Sequence, residues 1–208
     1  ASDGAMNAEF LGVVASSEKS ASLVETNTRP TRRQTANFQI RAASLGRTRG
    51  TMGPVDVSPK VMTLLMVVQG QRVLLGEKKR GFGEGFWNGF GGKVHDAGES
   101  VDEAALRELR EEAGIEAVDA TRRGLLTFVY DDQSRPMEVH VYHASRFTGA
   151  PVETEEMRPA WWDVKDLPWR HMWPDDEIWY PLFLSDRRFA GTVHFTNTTT
   201  IVKHDIRE

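Results

Sequence analysis

The chain carries an almost uninterrupted apolar run, Val61-Met62-Thr63-Leu64-Leu65-Met66-Val67-Val68. Such a run suits a strand buried on both faces. Gln69-Gly70-Gln71 interrupts it and Arg72-Val73-Leu74-Leu75 follows, so the two runs are predicted to pair as a hairpin. The next stretch, Gly81 to Phe90, mixes glycine with Phe82, Phe86, Trp87 and Phe90. It combines backbone freedom with flat apolar surface, and both a base-stacking platform and a core aromatic cluster fit it.

The pattern then switches to a helical period. Val101, Ala105, Leu109 and Ala113 recur every four residues and, with Leu106, form one apolar face. Ser100 and Glu103 have capping-box spacing, Asp102 and Glu103 place negative charge in the first turn, and Gly114 stands where a left-handed residue ends a helix. These signals predict a helix over Val101–Ala113. Gly124 to Tyr130 and Met137 to His143 read as strands joined across Asp131 to Arg135. Glu153 to Pro159 is expected to be an acidic loop leading to a strand that carries Trp161 and Trp162. A second helix is expected to start at Trp173-Pro174-Asp175-Asp176, and Phe189 to Phe195 with Thr200 to His204 form a closing hairpin. Strands alternating with two helices predict an α/β fold, a mixed β-sheet with helices on its faces.

Residues 1–58 differ. They lack sustained periodicity, are rich in Ser, Thr, Ala and Gly, and carry six Arg with no acid between Glu25 and Asp56. We read them as a disordered extension, leaving 59–208 as the single folded domain. An Arg-rich, acid-poor leader is also the pattern of a mitochondrial or plastid transit peptide, which Asp3, Glu9, Glu18 and Glu25 interrupt. The absence of cysteine removes disulfides and thiolate metal sites, so any metal must be held by oxygen or histidine. A formal charge of −4 argues against a protein that coats nucleic acid polymers, and no apolar run reaches the roughly 20 residues that span a bilayer. A cytoplasmic monomer acting on a small molecule is expected.

Two groups of residues suggest chemistry. Glu108, Glu111 and Glu112 lie at i, i+3 and i+4, where like charges weaken a helix unless a hard divalent cation shares them. The alternative is a solvated acidic face, and the Gly-rich loop before the helix favours the site. His140 and His143 invite a zinc reading, but three residues apart on a strand they face opposite sides, so half-exposed strand residues are expected.

The spacing Gly92, six residues, Glu99, seven residues, then Arg107-Glu108-Leu109-Arg110-Glu111-Glu112-Ala113-Gly114-Ile115 resembles the signature of the Nudix hydrolases. That family usually has five residues between the Gly and the first Glu, and we place the extra one in the His95-Asp96-Ala97 turn. The resemblance implies a Nudix fold and hydrolysis of a nucleoside diphosphate linked to another group. Lys78-Lys79-Arg80-Gly81-Phe82-Gly83, Phe86 to Lys93, Glu156 to Pro159 and Met172-Trp173-Pro174-Asp175-Asp176 further resemble the oxidised purine nucleoside triphosphate diphosphatases, which are similar to MutT. That likeness spans Val61 to Glu208. It implies Mg²⁺, with Mn²⁺ as a substitute, and cleavage of 8-oxo-dGTP and 2-oxo-dATP to monophosphate plus pyrophosphate, which sanitises the nucleotide pool. The competing readings are another Nudix specificity, for dinucleoside polyphosphates or nucleoside diphosphate sugars, and a non-catalytic nucleotide-binding module.

By position, the resemblance makes Gly91, Glu108, Glu111, Glu112 and Glu156 the metal and catalytic set. It makes Thr63, Lys78, Phe82, Asn88, Phe90, Gly91, Gly92, Lys93, Phe128, Met137, Trp173, Pro174, Asp175, Asp176 and Trp179 the substrate pocket. Glu112 is the first choice for the general base, with Glu108 or Glu156 second. Arg107 is expected to brace the loop by pairing with Glu99.

Overall fold

A computed structural model of the chain describes residues 58–95 and 97–208. Apart from Ser58, the extension expected over 1–58 lies outside the described residues. The elements in order are β1 (Lys60–Gln69), β2 (Arg72–Lys78), β3 (Trp87–Asn88), α1 (Val101–Ala113), β4 (Glu116–Ala117), β5 (Thr121–Tyr130), β6 (Met137–Ala144), β7 (Phe147–Thr148), β8 (Met157–Asp163), α2 (Asp176–Leu184), β9 (Phe189–Thr196) and β10 (Thr200–Arg207). The main sheet runs β10-β9-β5-β6-β1-β2-β3, with β8 also paired to β2, while β4 and β7 form a separate pair. β1 is parallel to β6 and β5 to β9; the remaining pairs are antiparallel, so the sheet is mixed.

The apolar run of β1 is continuous because both its faces are covered. Leu65 and Val67 pack with Ala105, Leu109 and Ala113 of α1. Leu64 and Met66 alternate with them and pack with Trp179, Tyr180 and Phe183 of α2. Period-two alternation thus sends successive side chains into two separate cores, and the fold is a sheet between two helices.

The first helix has the bounds its caps predict. Ser100 Oγ accepts from the Glu103 N–H at 3.2 Å, the Glu103 carboxylate accepts from the Ser100 N–H at 2.8 Å, and Gly114 takes φ +70°. Two expectations need correction. Met157-Arg158-Pro159 is not loop: it starts β8, with Met157 opposite Lys78, Arg158 opposite Glu77 and Pro159 opposite Gly76. Among the described residues β8 pairs only with β2, so Pro159 sits on an edge strand, where a missing N–H costs little. His140 is not half-exposed but buried, its Nδ1 3.1 Å from an Arg122 guanidinium nitrogen and its Nε2 3.1 Å from Glu138 Oε1. Those two partners satisfy the ring, which is what permits its burial. His143 is half-buried on the opposite face, beside the Phe183 ring, and burial pushes its pKa down.

Candidate active site

The site is built where the loop after β3 crosses β1. Backbone approach at Gly91 is so close that only glycine fits, because a Cβ there would lie 2.0 Å from the Thr63 carbonyl oxygen; a Cβ on Gly92 would instead meet the Glu108 carboxylate, 2.4 Å from its Oε1. The loop is pinned by the Thr63 N–H donating to the Gly92 carbonyl at 2.9 Å and the Gly91 N–H donating to Glu112 Oε2 at 2.8 Å. The extra residue falls after both pinned glycines, and Glu99 closes that turn by accepting the His95 N–H at 2.8 Å. Because Gly91 meets backbone rather than a flexible side-chain end, Gly91→Ala should cost about 1–3 kcal/mol, or roughly 2–12 °C in Tm by calorimetry. An unchanged Tm would show that β1 and the loop can separate freely.

α1 delivers the carboxylates. Glu112 is only 2 % exposed, so it does not share a solvated face with the other two as its spacing suggests. It turns inward beside Ala113 and Leu109, where Lys78 Nζ donates to its Oε1 at 2.8 Å and Gly91 to its Oε2. Burial raises the Glu112 pKa, against the lowering pull of Lys78 and the Gly91 N–H. Glu108 is nearly covered, and Glu111 is exposed. Arg107 reaches both, at 2.8 and 3.0 Å, while also holding Glu99 at 2.6 and 3.1 Å and the Lys93 carbonyl at 3.1 Å. The Arg107 hydrogen bonds bring Glu99 down to about 2. Arg107 therefore ties the glycine loop to the helix.

Glu156 arrives from the segment before β8. It accepts from Arg80 at 2.7 Å and from Lys78 at 3.3 Å, and the Arg80 bond is the main reason its pKa is lowered. Thr154, which sequence reasoning passes over, orders that segment: its hydroxyl accepts the N–H groups of Glu156 and Met157 at 3.2 and 3.1 Å. Glu108, Glu111, Glu112, Thr154, Glu155 and Glu156 line one cavity of about 380 Å³. A chamber lined by carboxylate oxygens without nitrogen or sulfur suits a hard divalent cation. Among the described residues no three acidic or histidine side chains already stand at cage spacing. Lys78 and Arg107 hold the carboxylates in ion pairs instead, supplying the positive charge the chamber calls for.

Beside this chamber opens a cleft of about 530 Å³. Of the residues expected there, Thr63, Lys78, Phe82, Asn88, Gly91, Gly92 and Lys93 line it. Phe128, Met137, Trp173, Asp175, Asp176 and Trp179 line it as well. Two expectations fail. Phe90 has no exposure and packs with Leu65, Leu109 and Met157 under α1, on the opposite face of β1 from the cleft. Pro174 is exposed and does not line the cleft; it is a central residue of the turn into α2 that the Asp176 N–H closes on the Trp173 carbonyl. The cleft also takes in Met62, Phe86, Tyr130 and Val139, which sequence reasoning misses. Two of them share a face with an expected cleft residue two positions away: Tyr130 with Phe128 and Val139 with Met137. Period-two alternation is the signal that could have found them.

Trp173 is the main aromatic surface, stacked on Phe82 at 5.1 Å and 23° and on Phe86 at 4.9 Å and 19°. At the cleft floor Asp175 and Asp176 are 3 % and 2 % exposed. Asp175 Oδ2 accepts from Trp179 Nε1 at 2.9 Å, and Asp176 Oδ2 from the Trp173 N–H at 3.1 Å. Burial raises the Asp175 pKa to about 6, and burial together with the charge of Asp175 raises Asp176 further. A cleft whose lining includes stacked rings and two reluctant acids can hold a flat heterocycle and read its edge, as donor where a carboxyl is protonated and as acceptor where it is not.

A profile of the NUDIX domain matches residues 58–183. The chain is 46 % identical over 149 residues to the oxidized purine nucleoside triphosphate hydrolase of Danio rerio, covering 72 % of this chain and 95 % of that protein. It is 44 % identical over 149 residues to the protein of the same name from Mus musculus, again over 72 % and 95 %. Its fold is similar to a mutator MutT protein from Bacillus halodurans, with TM-score 0.62 and 27 % identity over 71 % of this chain and 97 % of that one.

Proposed function

This chain belongs to the NUDIX family, and from that premise we propose that it hydrolyses oxidised purine nucleoside triphosphates, 8-oxo-dGTP and 2-oxo-dATP, to the monophosphate and pyrophosphate. The observation that carries the substrate assignment is the buried Asp175–Asp176 pair beside Trp173 in a cleft that shares Glu156 with the acidic chamber and whose Lys78 pairs with Glu112 and Glu156. A purine edge at the acids places the phosphate chain toward Lys78 and the carboxylates.

Glu108, Glu111, Glu112, Glu156 and the Gly91 backbone are the groups to hold Mg²⁺, for which Mn²⁺ can substitute. Held there, the cation would supply neutralisation of the phosphate oxygens and orientation of a water for in-line attack. The protein residues do the rest. Glu112, whose pKa burial has raised, accepts the water proton; Arg107 keeps the glycine loop and α1 in register through Glu99, Glu108 and Glu111. Trp173 and Phe82 supply stacking worth roughly 1–3 kcal/mol per base face. Asp175 and Asp176 read the base edge.

The test is a hydrolysis screen of the purified protein with Mg²⁺ against 8-oxo-dGTP, 2-oxo-dATP, dGTP, ADP-ribose and diadenosine tetraphosphate. Both oxidised nucleotides should exceed dGTP in kcat/KM by about tenfold or more, with pyrophosphate released. Preference for ADP-ribose or the dinucleotide would reject the substrate and leave the family intact.

A further inference from the structure

Lys78 lies on the wall between the two cavities: it lines the cleft, yet its ammonium is bound to Glu112 at 2.8 Å and Glu156 at 3.3 Å, two walls of the acidic chamber. It is 21 % exposed and sits at the end of β2, opposite Met157, so its stem is fixed while its flexible end can face either cavity. Glu112 is almost wholly buried, and a buried carboxylate without a partner is costly, so whenever it is ionised it needs a cation beside it. Lys78 fills that role when nothing else does.

We propose that Lys78 is a charge latch: without nucleotide its ammonium competes with the divalent cation for Glu112 and Glu156, and a nucleotide phosphate in the cleft draws it away and so admits the cation. Two positive charges cannot share those oxygens without strong repulsion, whereas an anion in the cleft offers the ammonium an equivalent partner. Cation and nucleotide then bind with positive coupling, and that coupling is reciprocal. Lys78 acts here as a positioning residue, and the latch rests on the functional reading above for the identity of the anion.

The test measures binding, not turnover. Mn²⁺ affinity is determined by electron paramagnetic resonance for wild type, Lys78→Met and Lys78→Arg without nucleotide. Lys78→Met should bind Mn²⁺ about tenfold or more tighter than wild type, while Lys78→Arg, which keeps the charge, should stay within about twofold. Saturating 8-oxo-dGMP should tighten Mn²⁺ binding by wild type more than by Lys78→Met, in which only the direct phosphate contact to the cation remains. Equal or weaker Mn²⁺ binding by a folded Lys78→Met overturns the latch. Should that variant fail to fold, acylation of Lys78 in wild type decides: Mn²⁺ alone should raise its rate relative to Lys165, and an unchanged rate overturns the proposal. If the oxidised nucleotides are not hydrolysed while the nucleotide-free results hold, the substrate reading fails and the competition stands.

Discussion

Glu112→Gln should lower kcat by roughly 10²–10⁴ with little change in Tm. The amide has the same shape, can still accept from the Gly91 N–H, and leaves Lys78 its second partner, Glu156. What it loses is negative charge and basicity at the most buried carboxylate of the chamber. The pH dependence gives a second readout. Burial raises the Glu112 pKa in the metal-free protein and a bound cation would lower it, so with Mg²⁺ present wild-type kcat should climb with pH as Glu112 loses its proton, and the residual rate of the Glu112→Gln variant should lose that rise. Turnover comparable to wild type, with Mg²⁺ still required, would move the base to Glu108 or Glu156. The same raised pKa has a stability consequence. Its folded value lies above the unfolded one, so the stability linked to a protonated Glu112 is present in acid and lost as pH rises through the folded value.

How far the sequence can be read depends on how many local signals agree. For α1 the cap, the period and Gly114 all point to Val101–Ala113, and those are its bounds. β3, β4 and β7 have two residues each, too short for any period to register. The start of β8 is hidden because Pro159 and the preceding acids read as loop; only the pairing with β2 shows that a proline is tolerated there. At the site, spacing alone puts Glu108, Glu111 and Glu112 on one helix face. It cannot tell that Glu112 is interior, because that burial depends on Lys78, 34 residues away in sequence. Phe90 falls in with its pocket neighbours Gly91 and Gly92 by position, yet it pairs with Leu65 and points into the core beneath α1. Phe86 is the ring that lines the cleft instead, and nothing in the local pattern separates the two.

Asp175→Asn and Asp176→Asn should shift the preference between 8-oxo-dGTP and 2-oxo-dATP differently from each other. If these acids only complemented the dipole of α2, each would contribute about 0.3–1 kcal/mol and face water. Both are buried instead, Asp175 bonded to the Trp179 indole and Asp176 to the Trp173 N–H. Asp175 begins α2 without capping it through its side chain. Two adjacent buried acids repel as a charged pair, so they share protons near neutral pH. Each Asn fixes one donor and one acceptor where the carboxyl could supply either. A mismatched edge leaves a buried polar group unpaired, at about 1–3 kcal/mol or roughly 5- to 150-fold in kcat/KM. The sign with pH follows from the direction of the shifts. Both folded pKa values lie above the unfolded ones, so stability linked to the neutral pair is present below about pH 4 and lost as pH rises through about 6 and beyond. Wild-type Tm should therefore fall more across that window than that of Asp176→Asn, in which Asp175 alone is left to titrate and the repulsion between the two acids is gone. The purine that needs a donor from the pair should lose kcat/KM over the same window, measured from pH 5 to 9. Equal small losses for both nucleotides in both variants, flat with pH, would leave the acids with no part in reading the base.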